Sequence, residues 1–322
     1  MQYAISRRLR ERMSGATAPR FRAMAERVSC GMLRSGANRV PAAMMPYLPA
    51  PSGALPGPAE ALDTVLGNDA SRCDALAYLW TAMESRQNLI VSGPAPATET
   101  MLMALAVFIP ACDSVVVVSE DMSWAGACGP RCMVAACGEG PWRAPSSVQM
   151  SRAIALAPDR LMVPELRGAE TRVLFSGANS GISFTAGMRP SPEPTGELGA
   201  LTAGPMRVGS GGISALDVSM RMGSDCSILS ISEYSWLSRA EAFEGEEICS
   251  EDMVSVRRVA GGDSCGSADR SSKVAAAYAY SHGISAGDAA AEMAERSALL
   301  RGTLGSCPAG SAAAAATAYR GW

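Results

Sequence analysis

Residues 88–110 read NLIVSGPAPATETMLMALAVFIP, and this stretch decides the fold. A short apolar strand, Leu89 to Val91, leads to Gly93, and the composition then predicts an apolar helix from Thr100 to Phe108. Pro110 ends that helix, because proline has no amide hydrogen to continue the hydrogen-bond ladder. The order of strand, glycine and helix is the sequence context in which a phosphate-binding loop occurs.

The turn matches only part of the phosphate-binding pattern G-x-x-x-x-G-K-[ST]. Gly93 and Thr100 occupy its first and last positions, whereas Thr98 stands in place of its second glycine and Glu99 in place of its lysine. A Cβ at residue 98 obstructs both positive φ angles and a close approach to phosphate. The motif alone is therefore half a match.

Apolar strands and helices alternate along the rest of the chain, which predicts an α/β fold with a mostly parallel sheet flanked by helices. The predicted strands are β-branched and continuously apolar, as in buried parallel sheets. Further predictions are a Gly- and Cys-rich excursion over 125–145, a small antiparallel extension over 225–265 and C-terminal helices over 272–302. The remaining predicted strands are Val115 to Val118, Arg160 to Val163 and Ile182 to Thr185, and the helices are Ser147 to Leu156, Glu170 to Ala178 and one around Leu76, Leu79, Trp80 and Met83.

The first 68 residues differ from this alternating pattern. Residues 1–35 have the composition of a basic helical segment, and 36–68 are rich in Pro, Gly and Ala without periodicity, which indicates loop or linker. We therefore expect an N-terminal helical and linker region over 1–68, which could be a reduced domain. A larger α/β domain with a C-terminal helical extension then covers 69–322.

Composition bounds the partners and the compartment. The net charge of −3 argues against broad affinity for nucleic acid or anionic membranes. The longest apolar run, 101–109, is too short to span a bilayer, and no apolar core follows the basic residues of the N-terminus. A cytoplasmic protein with reduced thiols is the expectation.

Three cysteines raise the question of a metal. Cys128, Cys132 and Cys137 have spacings close to those of zinc sites, but a zinc site needs a fourth ligand. The single histidine, His282, falls in a distant segment that is expected to be helical. Scattered reduced thiols are the simpler interpretation, and we predict no metal site.

Four blocks, in order along the chain, resemble the archaeal type II/type IV secretion ATPases, the motors of pili and archaella. The first block, LAYLWTAMESRQNLIVSGPAPATETMLMALAVFIP (76–110), corresponds to their helix, strand, phosphate-binding loop and helix. The second, VVVVSEDMSW (115–124), corresponds to their acidic box. The third, RAIALAPDRLMVPELRGAETRVLFSGANSG (152–181), corresponds to their Walker B region, and the fourth, GISFTAGMRPS (181–191), to their His box.

This resemblance implies a RecA-like P-loop NTPase core over 69–322. It also implies ATP and Mg²⁺ as cofactors and a homo- or hetero-hexamer with a secretion ATPase paralogue. A membrane platform protein is the further implied partner, reached from the cytoplasmic face of the membrane. Such motors power pilus or archaellum assembly or protein secretion.

The site residues implied by the resemblance are partly kept and partly lost. Glu165 stands at the general-base position, Glu120 and Asp121 form the acidic box, and Thr100 stands at the Mg²⁺-ligand position. Gly93, Thr98, Glu99 and Thr100 together make up the degenerate nucleotide-binding loop. In an arbitrary α/β protein, such carboxylates at strand ends are more often solvated or helix-capping than catalytic.

Other replacements weaken the nucleotide site further. Pro94 and Pro96 each remove an amide from the anion-binding turn, Pro164 replaces the glycine before the Walker B glutamate, and Ile182 and Arg189 replace the two His-box histidines.

Charge decides what these losses mean for function. A lysine about 4 Å from a phosphate gains roughly 1 kcal/mol in water and about 4 kcal/mol at an effective dielectric of 20, and glutamate reverses the sign. A tenfold loss of affinity needs only about 1.4 kcal/mol. We therefore expect a degenerate, non-hydrolysing subunit or regulator of the motor. The alternatives are an active ATPase with a non-standard loop and a decaying paralogue without function.

Overall fold

The computed structural model describes most of the chain from residue 56 onward. The described residues are 56–67, 69–124, 132–138, 146–190, 196–202, 205–236, 254–261, 264–265, 272–304 and 311–320. The predicted helix over 1–35 and the side chain of Cys128 lie outside them. The division of the chain at residues 68 and 69 stays a prediction.

The elements alternate as the sequence predicts for an α/β protein. The helices are α1 Pro58–Leu66, α2 Ala70–Glu84, α3 Ala95–Ala106, α4 Ser146–Ala155, α5 Glu170–Ala178, α6 Gly196–Thr202, α7 Ser210–Ile213, α8 Lys273–His282, α9 Ala286–Thr303 and α10 Ser311–Arg320. The strands are β1 Leu89–Ser92, β2 Val115–Ser119, β3 Cys132–Ala136, β4 Arg160–Leu166, β5 Ser183–Met188, β6 Val218–Met222, β7 Ile228–Trp236, β8 Val254–Gly261 and β9 Ser264–Cys265.

All of these strands belong to one sheet, in the order β3-β2-β4-β5-β1-β6-β7-β8-β9. The strands from β3 to β6 in this order are parallel, and β7, β8 and β9 extend the sheet in antiparallel pairs. Every residue of β1, β2 and β5 is buried, which explains why these strands are continuously apolar or small. The predicted α/β fold, with a mostly parallel sheet flanked by helices and an antiparallel extension, is confirmed.

The start of α3 corrects the prediction of a helix from Thr100. The helix begins at Ala95, with Pro94 as its N-cap and Pro96 in its first turn. Proline is favoured there because its fixed φ suits a helix start and its missing amide costs no hydrogen bond. Consequently Gly93 and Pro94 alone connect β1 to α3.

Two further expectations were wrong in detail. Residues 58–66, predicted as linker, form α1, which buries Leu62 and Val65 and packs against α3. The excursion over 125–145 contains β3, which pairs in parallel with β2. Glu60, whose carboxylate accepts from the Gly57 amide at the start of α1, and the i, i+4 apolar pair Leu62 and Leu66 were detectable, but the surrounding prolines and glycines concealed them.

The C-terminal helices are anchored by a buried arginine. Arg296 of α9 is 1% exposed and lies over the rings of Trp80 and Tyr278, 4.9 and 4.8 Å from their centroids. Its Nη2 donates to Glu84 Oε2 at 2.7 Å and to Glu292 Oε1 at 2.8 Å. Both carboxylates therefore neutralise the guanidinium where α2 and α9 pack together.

Candidate functional site

Four of the carboxylates predicted from the sequence line one cavity of about 220 Å³. Glu120 and Asp121 follow β2 directly, Glu165 is the next-to-last residue of β4, and Glu99 lies in α3 after β1. The carboxyl ends of parallel strands meet at one edge of a sheet, and ligands of α/β proteins bind along that edge. The structure thus brings these side chains together, while their role in catalysis stays a prediction.

The glycine at the start of the predicted loop has a packing role. A Cβ on Gly93 would come within 2.8 Å of Met222 Cβ and 3.1 Å of the Met222 carbonyl oxygen, on β6. The Gly93 amide donates to the Met188 carbonyl at 3.1 Å. Close approach of neighbouring strands therefore accounts for this glycine without a phosphate.

The amides at the start of α3 do not form an anion-binding turn. Pro94 and Pro96 have no N–H group, and the amides of Ala97 and Thr98 both donate to the Pro94 carbonyl, at 3.0 Å each. A phosphate-binding nest needs several successive amides that converge on the anion. Two removed amides and two internally bonded ones leave no such group at this turn.

The two threonines of the predicted loop are likewise committed to the helix. Thr98 Oγ1 donates to the Pro94 carbonyl at 2.9 Å, and Thr100 Oγ1 donates to the Pro96 carbonyl at 2.7 Å. Thr98 is 3% exposed and lines only a pocket of about 10 Å³ beside the cavity. Gly93 and Thr100 do not line the cavity.

Glu165 is held by two arginines. It pairs with Arg167 Nη2, and its other oxygen accepts from Arg189 Nε at 3.0 Å. The hydrogen bond from Arg167 is the main reason that the pKa of Glu165 is lowered, although burial opposes it. Arg167 Nη1 also lies 3.3 Å from Glu120 Oε1. The carboxylate at the general-base position is therefore ionised, and it already forms ion pairs with Arg167 and Arg189.

Glu99 has the opposite surroundings. Burial raises its pKa, and repulsion from the nearby carboxylates of Asp121 and Glu165 raises it further. Arg167 and Arg189 line the same pockets as Glu99, but no ion pair or hydrogen bond joins either of them to its carboxylate within the described part of the chain. Glu99 therefore occupies the position of the phosphate-binding lysine in the loop pattern. Its surroundings raise its pKa and so favour the protonated carboxyl group.

Glu170, Trp124 and Cys137 are among the cavity residues that were not predicted as parts of this site. Glu170, 7% exposed at the start of α5, accepts from the amides of Arg167 and Gly168 at 2.6 and 2.7 Å. Trp124 and Cys137, both nearly fully buried, form other parts of the wall. The acidic residue at a predicted helix start could have revealed Glu170, whereas Cys137 required knowledge of β3.

ATP and Mg²⁺ do not fit this arrangement. The β1–α3 turn supplies neither converging amides nor a lysine, and the charged side chains that line the pocket beside it are Glu99, Glu165 and Arg189. Among the described residues, no group of three or more His, Cys, Asp or Glu side chains is arranged to hold a metal ion. Neither Cys132 nor Cys137 forms a disulfide with another described cysteine; Cys132 is partly buried and Cys137 is buried.

No described helix is long and apolar enough to cross a membrane.

His282 is the last residue of α8 and precedes Gly283, which has a left-handed backbone conformation. The segment around His282 is therefore helical, as the sequence predicted. Leu76, Leu79, Trp80 and Met83, the apolar positions of the first predicted helix, are buried.

Comparison with known proteins identifies no family. No protein-family model and no curated protein matches the chain. Among solved structures, the chain is similar to the VirB11 ATPase from the Brucella suis type IV secretion system in complex with sulphate, at 15% identity and a TM-score of 0.39. The match covers 58% of this chain and 55% of that one, so the chain spans about half of that protein. A likeness this distant carries no argument, and the description of the fold therefore rests on the strand order.

Proposed function

We propose that this chain is a non-hydrolysing protein of the type II/type IV secretion ATPase class with a RecA-like core. It acts as a subunit or regulator beside an ATP-hydrolysing paralogue. The observation that carries the loss of activity is the start of α3 at Ala95, directly after Gly93 and Pro94. The same turn presents Glu99 instead of lysine.

The placement of the four sequence blocks supports the class. The loop-like block covers β1 and α3, the acidic box ends β2, the Walker B-like block covers β4, and the His-box-like block covers β5. These four strands are parallel and adjacent in the order β2-β4-β5-β1, so the blocks share one edge of the sheet. Their carboxylates consequently surround one cavity rather than separate surfaces.

Electrostatics supports the loss of hydrolysis. Phosphoryl transfer depends almost entirely on positioning the phosphate and on stabilising its charge. At the cavity, Arg167 is engaged by Glu165 and Glu120, and Glu99 would repel a phosphate at close range. A repulsion of only about 1.4 kcal/mol lowers affinity tenfold, and the missing amides add to it.

The proposal includes partners and a location. As a member of this class, the chain would join a homo- or hetero-hexamer that contains the active paralogue. It would contact a membrane platform protein of a pilus, archaellum or secretion system at the cytoplasmic face. The net charge of −3 agrees with the absence of a nucleic-acid partner from this proposal.

Hydrolysis by the purified protein tests the loss of activity. Phosphate release from Mg-ATP by the wild type should equal that of Glu165→Gln, with Glu295→Gln on the exposed face of α9 as the matched control. Robust Mg²⁺-dependent hydrolysis that Glu165→Gln abolishes and Glu295→Gln keeps would refute the proposal. Co-purification with a paralogue that has an intact phosphate-binding loop tests the role as a subunit, and its absence would favour a decaying paralogue.

A further inference from the structure

The end of β4 forms a bulge against β5. Between the paired residues Val163 and Leu166, β4 has two residues, whereas β5 has only one, Gly187. The two residues of the bulge are Pro164 and Glu165. Bulges are rare between parallel strands, and they often re-aim a side chain beside a functional site. Proline inside a sheet is found mainly on edge strands and at bulges, and β4 is an inner strand, so the proline agrees with the register.

This bulge requires a glycine on the neighbouring strand. A Cβ at Gly187 would lie 2.2 Å from the Pro164 carbonyl oxygen and 3.1 Å from Leu102 Cδ1. The first separation is far too short for a Cβ, and a backbone carbonyl cannot yield without a change in the strand itself. The bulged carbonyl therefore occupies the space that any other side chain at residue 187 would need.

The bulge decides which side chain of β4 enters the core. Side chains two residues apart in a strand share a face, so a regular strand would place Glu165 on the face of Leu161 and Val163. Those two residues belong to the apolar core, and the residue of β4 that joins them there is Leu166. Burial of an ionised carboxylate in that core would be costly. The extra residue thus keeps Glu165 out of the core and admits a leucine in its place.

On the opposite face, Glu165 meets two arginines. It lines the small pocket of about 10 Å³ together with Thr98 of α3 and Arg189, which directly follows β5. Arg189 Nε donates to one carboxylate oxygen at 3.0 Å, and Arg167 Nη2 pairs with the other. Arg167 directly follows β4. Because the three side chains come from the ends of two neighbouring strands, their meeting depends on the register of β4 against β5.

The same bulge accounts for the cavity between β2 and β4. Strand β2 continues to Ser119, but its pairing with β4 ends at Met162, before the bulge. A bulged strand bends, which separates the ends of the two strands. The residues at these ends that line the cavity include Val118, Ser119, Val163 and Pro164. The cavity and the position of the carboxylate in it thus have one structural cause.

We propose that Pro164 and Gly187 are positioning residues of this site, whose bulge holds Glu165 in its ion pairs with Arg167 and Arg189 as an autoinhibitory contact. A carboxylate paired with two guanidinium groups is a weaker base, because both cations favour its ionised form. The inference rests on the proposed function for the meaning of this contact, since it names what silences the general-base position.

Carbon-13 NMR of the Glu165 carboxyl group, assigned with Glu165→Gln, tests the pairing. In the wild type the pKa of Glu165 should lie below its ordinary value of 4.5, because the hydrogen bond from Arg167, together with the pairing to Arg189, favours the ionised form. Gly187→Ala should raise this pKa to 4.5 or above, because the new Cβ displaces the Pro164 carbonyl and, with it, the adjoining carboxylate.

Gly302→Ala, in the last turn of α9, is the matched control, because a Cβ there meets nothing within 4 Å. It should leave the pKa of Glu165 unchanged. A folded Gly187→Ala protein in which the pKa of Glu165 equals that of the wild type would overturn the proposal.

Deletion of Pro164 supplies a second test. It removes the extra residue, so that Glu165 alone stands opposite residue 187 and the pairs on either side keep their register. Glu165 then stays on the face of Arg167 and Arg189, which lie two residues further along their strands, and its pKa should remain low. The carbonyl that obstructs a Cβ at residue 187 is also gone. Combining the deletion with Gly187→Ala should therefore restore the low pKa and the thermal unfolding midpoint that Gly187→Ala alone loses.

The double variant keeps the test decisive if Gly187→Ala does not fold. A double variant that is also unfolded, or whose Glu165 has a pKa of 4.5 or above, would overturn the proposal. Hydrolysis of Mg-ATP separates this inference from the proposed function. Hydrolysis by the wild type would contradict the proposed function, whereas an ordinary pKa of Glu165 in a wild type that does not hydrolyse ATP would overturn this inference alone.

Discussion

The buried charges around Arg296 and those of the cavity around Glu99 are arranged in opposite ways. Arg296 is enclosed by two carboxylates, two aromatic rings and the hydroxyl groups of Thr81 and Tyr278. The carboxylates of Glu84 and Glu292 balance its positive charge. Glu99 instead lies near the carboxylates of Asp121 and Glu165, and both burial and repulsion raise its pKa.

This difference separates charges that hold elements of the fold together from a carboxylate whose ionised form its surroundings disfavour. A matched cluster between α2, α8 and α9 contributes to the docking of the C-terminal helices. An unmatched carboxylate in a cavity costs stability, and proteins tend to keep such strain where a function uses it. Glu165 lies between the two cases, since it belongs to the cavity but is neutralised by Arg167 and Arg189.

The largest expected effect comes from breaking the matched cluster. Arg296→Met should lower the free energy of unfolding by about 3 kcal/mol, because it removes a buried guanidinium and leaves the partly buried carboxylates of Glu84 and Glu292 without their cation. Arg172→Met, at an exposed position of α5, is the matched control and should change stability by about 0.5 kcal/mol or less. Urea unfolding measures both, and similar losses in the two variants would contradict the structural role of Arg296.

A smaller loss is expected at Glu165. Glu165→Gln should lower the free energy of unfolding by about 1 kcal/mol or less, because its arginine partners are largely exposed to solvent. The folded state lowers the pKa of Glu165, so its stabilising contribution is present above the ordinary value of 4.5. It is lost as pH falls through the lowered pKa. The wild type and the variant should therefore converge in acid, and a difference that grows in acid would contradict this pairing.

The smallest effect has the opposite sign. Glu99→Gln should raise the thermal unfolding midpoint at pH 7, because it removes a charge that burial and two carboxylates disfavour. The folded state raises the pKa of Glu99, so the wild type regains stability as pH falls through that raised pKa toward 4.5. The advantage of the variant should shrink over the same interval. Destabilisation by Glu99→Gln at pH 7 would show that a cation faces Glu99.

The sequence predicted the fold better than the local geometry of the site. Continuous apolar strands such as Val115 to Val118 identify a buried parallel sheet, and strand ends then bring Glu120, Asp121 and Glu165 to one edge. The helix start at Ala95 was missed because the loop pattern placed it at Thr100, whereas two prolines favour an earlier first turn.

Long-range partners were beyond the reach of the sequence. Arg189 was noted only as a replacement for histidine, yet it binds Glu165 across 24 residues. Cys137 reaches the cavity at the end of β3, a strand that the Gly- and Cys-rich composition concealed, and Trp124 reaches it through the short turn after β2. Such contacts depend on strand order, and strand order is set by packing over the whole sheet rather than by local propensity.

The most direct test of the central claim is a calorimetric titration of the wild-type protein with Mg-ATP. The account predicts no saturable binding with a Kd below about 1 mM, because the turn between β1 and α3 lacks both the amides and the lysine that hold phosphate. It also predicts that Glu99→Lys with Thr98→Gly gains little, since Pro94 and Pro96 still fix the helix start. Micromolar binding of Mg-ATP by the wild type would contradict the account.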